Sequence, residues 1–289
     1  MLNKNQNCVS LCVFYAIAPI HAGSGAAIAA VDLPIQRERH TNWPHIQASG
    51  VKGAMRAHYR DFAGDKKEEI NFIFGSDTQD GWGKDKDNIP GAVSVSDAKL
   101  LAFPVRSNIA PFVWVTCPAV LNRLSNDLEF AGLTPIKDIP NVSDENASCL
   151  EGKVKNPVIL EDMTVSVSDV LVKNPIPEGF PKLGTLLLVS DQVFKYAVET
   201  CTEIQTHIKI DSKTGTADGT ALWYQELLPA DSVLYSVVYF SRSAFEHIPQ
   251  AENVRDHIQN VIKDFIQIGG DETLGRGICK INWIPGGAK

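Results

Sequence analysis

The chain has 289 residues, 44% hydrophobic and 21% charged, with a formal net charge of −7. That is the composition of an ordinary globular chain, long enough for one large domain with insertions or two small ones. It excludes a membrane-spanning helix, since no run approaches the roughly 18 apolar residues a span needs, and the net charge alone argues against a nucleic-acid partner.

The distribution of charge reverses that last impression. Residues 1–60 hold six bases (Lys4, Arg37, Arg39, Lys52, Arg56, Arg60) against two acids (Asp32, Glu38), +4 locally, which leaves −11 on the rest. A basic N-terminal segment on an acidic body predicts one anion-binding face. The six cysteines (8, 12, 117, 149, 201, 279) fall in no metal-binding spacing and are expected to be reduced, partly buried thiols of a cytoplasmic protein.

In chain order, Val9, Leu11, Val13, Tyr15 and Ile17 alternate as a strand does. Lys4 followed by Cys8 to Ile20 has the outline of a signal peptide, but Tyr15 and Pro19 interrupt the apolar run, so a first strand is expected. After the turn His21–Gly25 comes the densest chemistry in the chain, Asp32-Leu-Pro-Ile-Gln-Arg-Glu-Arg-His40. Pro34 fixes an extended or turn conformation, and so many polar side chains cannot form a core strand, so a loop carrying function is expected. Ser49 is the expected N-cap of a helix with Val51, Met55, His58, Tyr59 and Phe62 at helical spacing. Lys52, Arg56 and Arg60 form a stripe beside that face. It is either a phosphate cradle at the helix start or an ordinary solvated face.

Residues 75–92 are turn formers and charges, hence a loop. Strands are expected over 93–105 and 112–116, then a helix with Pro118 in its first turn ending before Gly132. Residues 134–182, rich in Pro, Asn and Asp, suggest an irregular insertion. A strand over 185–189 and a helix over 191–201 follow. Residues 204–211 and 220–228 predict a long hairpin around an eight-residue polar tip. A strand over 232–241, a helix over 245–266, the loop Gly269-Gly-Asp-Glu-Thr-Leu-Gly-Arg-Gly277 and a strand over 278–284 complete the chain. The glycine loop matches neither a P-loop nor GxGxxG; Arg276 between two glycines makes an RNA-backbone contact a reasonable expectation. These elements suggest an α+β sandwich, antiparallel sheet on one side and helices on the other.

The ordered set His21-x-Gly-Ser-Gly, Val31-Asp-Leu-Pro-Ile-Gln-Arg-Glu-Arg-His-Thr41, Ser49-Gly-Val-Lys-Gly-Ala-Met-Arg56, Ile73-Phe-Gly75, Val95-Ser-Asp-Ala-Lys99, Leu222-Trp-Tyr-Gln-Glu226 and Gly269–Gly277 resembles one family. It is similar to the repeated backbone subunit of the type III-B CRISPR effector, the Cmr complex, within the RAMP superfamily. The resemblance spans almost the whole chain and is weakest in 134–182. It implies a single domain over 1–289 with a ferredoxin-like (RRM-type) core, insertions at 64–92 and 134–182, and residues 204–228 as a hairpin thumb. Copies would stack head to tail along a guide RNA beside other Cmr subunits, with the thumb pushed into the guide–target duplex. Target RNA would be cut at regular intervals with a divalent cation, Mg²⁺ or Mn²⁺. The resemblance places the catalytic and metal-holding aspartate on Asp32, secondary catalytic contributors on His21 and Glu226, and RNA contacts on Arg37, Arg39, Ser49, Lys52, Arg56, Gly269, Gly270, Gly275, Arg276 and Gly277. Gln225 stands where another acid is expected.

The chemistry of a carboxylate is consistent with that role. An ordinary Asp is ionised about 3 pH units below neutrality, too weak a base for a ribose hydroxyl, and suits orienting the hydroxyl or holding a hydrated cation better. His21 could move a proton, though a histidine at a strand end is more often a hydrogen-bonded structural residue. The rival readings are a purely structural RNA-binding filament subunit and a metal-independent guide-processing nuclease using His21. The second would leave the thumb and the Asp32 loop without a task.

Overall fold

The computed structural model of the chain describes residues 8–26, 30–64, 66–76, 90–168, 172–243 and 250–287. Most of the loop expected over 75–92, and the first residues of the helix expected over 245–266, lie outside them. Strand β1 (Cys8–Ala16) forms where the alternation places it. It lies inside the main sheet, antiparallel to β12 (Val233–Phe240) on one edge and β14 (Ile278–Pro285) on the other. Ser10 to Phe14 are all buried, because the strand is covered on both faces. β12 also pairs with β4 (Ala98–Arg106), so four strands run β14-β1-β12-β4 with every neighbour antiparallel.

Among the described residues twelve strands form this mixed sheet. Beyond β4 it continues through β5 (Phe112–Thr116), β9 (Leu186–Val189), β6 (Asn146–Glu151), β8 (Met163–Val167) and β7 (Val158–Leu160), with β13 (Phe265–Gln267) at the opposite edge. Short strands β2 (His45–Ile46) and β3 (Val93–Val95) pair with β4 and β12. Strands β10 (Glu203–Ile210) and β11 (Ala217–Leu227) make a separate two-stranded hairpin. Its turn is tighter than the eight residues expected, since the Asp211 amide donates to the Thr216 carbonyl and the Gly215 amide to the Asp211 carbonyl.

The described helices are α1 (Ala48–Ala63), α2 (Lys67–Phe74), α3 (Pro118–Phe130), α4 (Asp191–Thr200) and α5 (Ala251–Val261). They do not gather on one side of the sheet as expected. Gln259 of α5 donates to Ser10, which lies opposite Val238, whereas Tyr235 of β12 donates to Asp127 of α3. Residues 235 and 238 of one strand face opposite ways, so α3 and α5 cover opposite faces.

Several local expectations change for identifiable reasons. The N-cap of α1 is Gln47, and Ser49 sits inside the first turn. The Ala48 amide is taken by the Asp97 carboxylate and the Gln47 amide by the Gln36 side chain, so neighbouring side chains fill much of the expected phosphate cradle. Phe62 is 74% exposed, outside the face made by buried Val51, Met55 and Tyr59. The 64–92 insertion contains α2, and the 134–182 insertion contains β6, β7 and β8, strands of three to six residues too short for alternation to reveal. The strand over 93–105 is two strands broken at Ser96 and Asp97. The last helix stops at Val261, because Asp264 turns left-handed (φ 60) and Phe265 enters β13.

The Tyr59 hydroxyl joins three helices. It donates to Glu69 Oε1 of α2 (2.5 Å) and, its one proton being spent there, receives from His257 Nε2 of α5 (2.5 Å). Burial raises the Glu69 carboxyl, but the Tyr59 bond, Lys66 and His257 outweigh it and hold it below its usual range. Tyr59→Phe is expected to destabilise the fold by about 1–2 kcal/mol in urea denaturation. A depressed carboxyl stabilises above its unfolded pKa and loses that contribution as pH falls through the folded one. The variant should therefore lose less stability than the parent below the usual carboxylate range.

Candidate active site

Residues 20–21 and 32–33 are built onto the outer edge of β11. Ile20 and Leu228 exchange main-chain bonds (2.8 and 2.9 Å), the Leu33 amide donates to the Tyr224 carbonyl (3.1 Å), and the Glu226 amide donates to the Leu33 carbonyl (3.0 Å). Two side chains complete the edge. Asp32 Oδ2 accepts the Tyr224 amide at 2.8 Å, and His21 Nδ1 lies 2.9 Å from the Glu226 carbonyl. A carbonyl only accepts, so His21 Nδ1 carries a proton, and in the neutral ring Nε2 is the nitrogen with the lone pair. Asp32 and His21 are thus anchored two residues apart on one strand, about 7 Å at the rise of a β-strand. Asp32 is partly exposed, and its Oδ1 has no hydrogen-bond partner among the described residues.

Glu226 plays a different part. It is 7% exposed, and both its oxygens are engaged: Oε2 accepts the Ile35 amide (3.1 Å), and Oε1 accepts from Arg37 Nη2 (2.6 Å) and Thr202 Oγ1 (2.8 Å). A carboxylate so occupied holds the Asp32 loop in place, which departs from its expected place beside the reaction. Arg37 is equally committed, donating also to the carbonyls of Asn42 (2.9 Å) and Val198 (3.0 Å), so its guanidinium is a strut across the loop. Glu38 pairs with Arg123 of α3, whose Nη1 lies 2.9 Å from both Glu38 oxygens while its guanidinium stacks 4.6 Å over the Trp43 ring. Arg123 gives no signal in the sequence, since nothing in a helical Arg 85 residues away marks its partner.

The remaining cations divide the same way. Arg56 donates to the Gly75 carbonyl (2.6 Å) and Asn71 Oδ1 (3.0 Å) at the end of α2, and Arg60 pairs with Asp61. Arg39 is exposed and makes no hydrogen bond or ion pair among the described residues. Lys52 is half-buried; desolvation, and then Arg56, lower its pKa.

The glycine loop closes the site from the other side. The Gly270 amide donates to the His21 carbonyl (2.9 Å), and the Gly277 amide to that of Pro19 (2.9 Å). Glycine is required at both ends. At Gly269 (φ +93) a Cβ would lie 2.5 Å from the His21 oxygen, and at Gly277 (φ +71) 1.9 Å from the Ile268 oxygen. Between them Gly275 is exposed. Asp271 accepts from Gln225 (2.5 Å), and Arg276 donates to Gln205 (2.6 Å), its cross-strand neighbour in the hairpin. Gln225, where an acid was expected, is therefore a buried donor that ties the two loops together. Asp32, His21, the glycine loop and the hairpin root meet at one place; Ser49, Lys52 and Arg56 lie on α1 instead.

Comparison with known proteins fits this geometry. The sequence model of the RAMP superfamily matches residues 13–280. The chain is 35% identical over 281 residues to the CRISPR system Cmr endoribonuclease Cmr4 of Pyrococcus furiosus, covering 92% of each chain. It is 25% identical over 304 residues to the CRISPR system CMR subunit Cmr4 of Saccharolobus solfataricus, covering 93% of this chain and 94% of that one. The crystal structure of oligomeric Cmr4 from Pyrococcus furiosus matches with a TM-score of 0.71 at 29% identity, over 96% of this chain and 98% of that one. A chain of the type III-B Cmr-beta complex bound to cognate target RNA matches with a TM-score of 0.75 over 95% and 96%, at 22% identity, a likeness of fold.

Glu226→Gln keeps an acceptor for Ile35 but leaves Arg37 without its counter-charge. The variant is expected to lose about 2–3 kcal/mol in urea denaturation and to speed hydrogen exchange at the Ile35 and Tyr224 amides. Unchanged exchange at those two amides would show that the pair does not hold the loop.

Proposed function

Because the chain belongs to the RAMP superfamily, we propose that it is the guide-RNA-binding backbone subunit of a type III-B CRISPR effector and the endoribonuclease that cuts complementary target RNA within it. The observation that carries the catalytic part is the Asp32 carboxylate: one oxygen is pinned to the hairpin edge, and the other has no partner among the described residues. A group held that way is aimed before substrate arrives, and holding a 2′-hydroxyl in line with its neighbouring phosphorus is worth several kcal/mol of barrier. The 2′-oxygen bonds to phosphorus, the P–O5′ bond breaks, the 2′ proton leaves to a base, and a proton reaches the departing 5′-oxygen. Asp32 orients the hydroxyl. His21, with its lone pair on Nε2, is the proton acceptor within the same anchored edge. Glu226 acts through Arg37 and Ile35 as a positioning residue.

A divalent cation, Mg²⁺ or Mn²⁺, belongs to this proposal. Among the described residues no group of three His, Cys, Asp or Glu side chains could cage one. Asp32 would instead be the residue that holds a largely hydrated ion beside RNA phosphate, the manner Mg²⁺ favours. When bound, it would stabilise charge developing on the phosphate oxygens.

The core is proposed to be ferredoxin-like. The order β14-β1-β12-β4, with α1 between β1 and β4 and α5 between β12 and β14 in the chain, supports that reading. The hairpin is proposed as the thumb, its polar tip entering the guide–target duplex. Arg39, the backbone of the glycine loop and the start of α1 with Ser49 and Lys52 are proposed to hold guide backbone, whereas Arg37 and Arg56 support the fold.

Asp32→Asn in the assembled complex is expected to slow target cutting at least about hundredfold while guide retention is unchanged. Cutting of a long complementary RNA should fall at even intervals, stop in EDTA and return with Mg²⁺ or Mn²⁺. Full cutting by the variant leaves only a scaffold. The two arginines of the loop should behave oppositely. Arg39→Ala is expected to weaken RNA binding and flatten its salt dependence by about one phosphate contact at unchanged stability. Arg37→Ala is expected to lower the melting temperature first.

A further inference from the structure

Gly23 has no conformational reason to be glycine. Its φ lies outside the left-handed region, unlike that of Gly25, Gly269 or Gly277. It bridges Ile35 in an antiparallel pair, and its carbonyl accepts from Gln36 Nε2 (3.1 Å). On either side the Gln36 amide donates to the Ala22 carbonyl (2.8 Å) and the Ser24 amide to that of Pro34 (3.0 Å). An L-residue of any kind adopts such a backbone. What a side chain at this position would meet, among the described residues, is His21. A Cβ on Gly23 would lie 2.8 Å from Nε2 and 3.5 Å from each flanking ring carbon. Nearer to the nitrogen than to either carbon, and equally far from both, it would stand beyond Nε2 on the side of the lone pair of the neutral ring.

Neither partner in that clash moves freely. The imidazole is tied through Nδ1 to the Glu226 carbonyl (2.9 Å), and the His21 carbonyl takes the Gly270 amide (2.9 Å). Gly270 walls the ring on another side, where a Cβ would meet Cδ2 at an ordinary 3.6 Å. Gly23 is exposed, so the space in front of Nε2 opens to solvent. We propose that Gly23 is a positioning residue of the cutting reaction: by carrying no side chain it leaves His21 Nε2 open to the ribose hydroxyl, which must come within about 3 Å to pass its proton. This rests on the proposed function, in which His21 is the proton acceptor, and names the residue that gives substrate access to it. Gly269 and Gly277 answer to the backbone; Gly23 answers to the approach of RNA.

The test uses Gly23→Ala, His21→Ala and the double variant. Diethyl pyrocarbonate, which acylates an open, unprotonated imidazole nitrogen, is applied to the RNA-free full-length chain, and each histidine is followed by mass spectrometry. Gly23→Ala is expected to slow modification of His21 at least about tenfold, while His40, its side chain 72% exposed, reacts at the parental rate. A misfolded chain would expose His21 and speed its reaction, so slowing also reports an intact fold. In the assembled complex, Gly23→Ala and His21→Ala are each expected to slow target cutting at least about tenfold with guide retention unchanged. The double variant should be no slower than His21→Ala, because both changes remove the same nitrogen from the reaction. Unchanged or faster modification of His21 in Gly23→Ala overturns the positioning role. So does full cutting by Gly23→Ala beside a slowed His21→Ala, or a further loss in the double variant. Full cutting by His21→Ala overturns the proton acceptor and this role together, so failure of the proposed reaction and failure of the inference alone are told apart.

Discussion

Everything at the site depends on one saturated strand edge. A two-stranded hairpin in water is marginal by itself, yet the root of β11 is fixed because Ile20, His21, Asp32 and Leu33 bond along its free side at Tyr224, Glu226 and Leu228. The same bonds place Asp32 and His21. Hairpin and acid therefore form one unit: whatever turns the hairpin turns the carboxylate with it. The glycine loop locks the opposite face through Gln225–Asp271 and Arg276–Gln205, so the root is gripped from two directions. A carboxylate on a free loop would need to be ordered at each encounter; here that entropy has already been lost in folding.

The electrostatics show why a count of charges misleads. The first sixty residues carry an excess of positive charge, but Arg37, Arg56 and Arg60 spend theirs on internal carboxylates and carbonyls. Glu38, which lies between Arg37 and Arg39 in the sequence, pairs with Arg123 from α3. Only Arg39 and Lys52 of the described bases in that segment lack such a bond, and Lys52 is half-buried. The site is thus less cationic than its sequence implies, and backbone amides must take a larger share of any phosphate contact.

The strands and helices that form long periodic runs were legible beforehand: β1, β5, β9, β12, β14, α3 and α4 lie where alternation, Pro118 and helical spacing put them. The hairpin was also legible, because its polar tip separates two β-rich runs. What stayed hidden was either short or non-local. Strands β6 to β8 have too few residues to show a period, and α2 is eight residues bounded by glycine and lysine. Asp32 and His21 could be singled out as reactive groups, but their common anchor on β11 lies about two hundred residues away. The role of Glu226 was the hardest to see, since a carboxylate that reacts and one that braces a loop look alike until burial and partners are known. Resemblance supplied the assignment, and geometry then showed which of the assigned side chains are already engaged inside the fold.

The hairpin has one further property that follows from its two rims. The rim of β11 is closed near the root, whereas among the described residues β10 pairs with β11 alone and its other rim has no strand. Open rims recruit foreign strands, and proteins guard them with charged side chains. Glu203 and Lys209 of β10, with Asp211 and Lys213 in the turn, supply that guard. Solubility of the newly made chain, before any guide or neighbour is present, therefore depends on a few ionic residues of the hairpin, apart from whatever part they take in recognition. Shortening or neutralising this finger to simplify the molecule would invite amyloid-like strand addition.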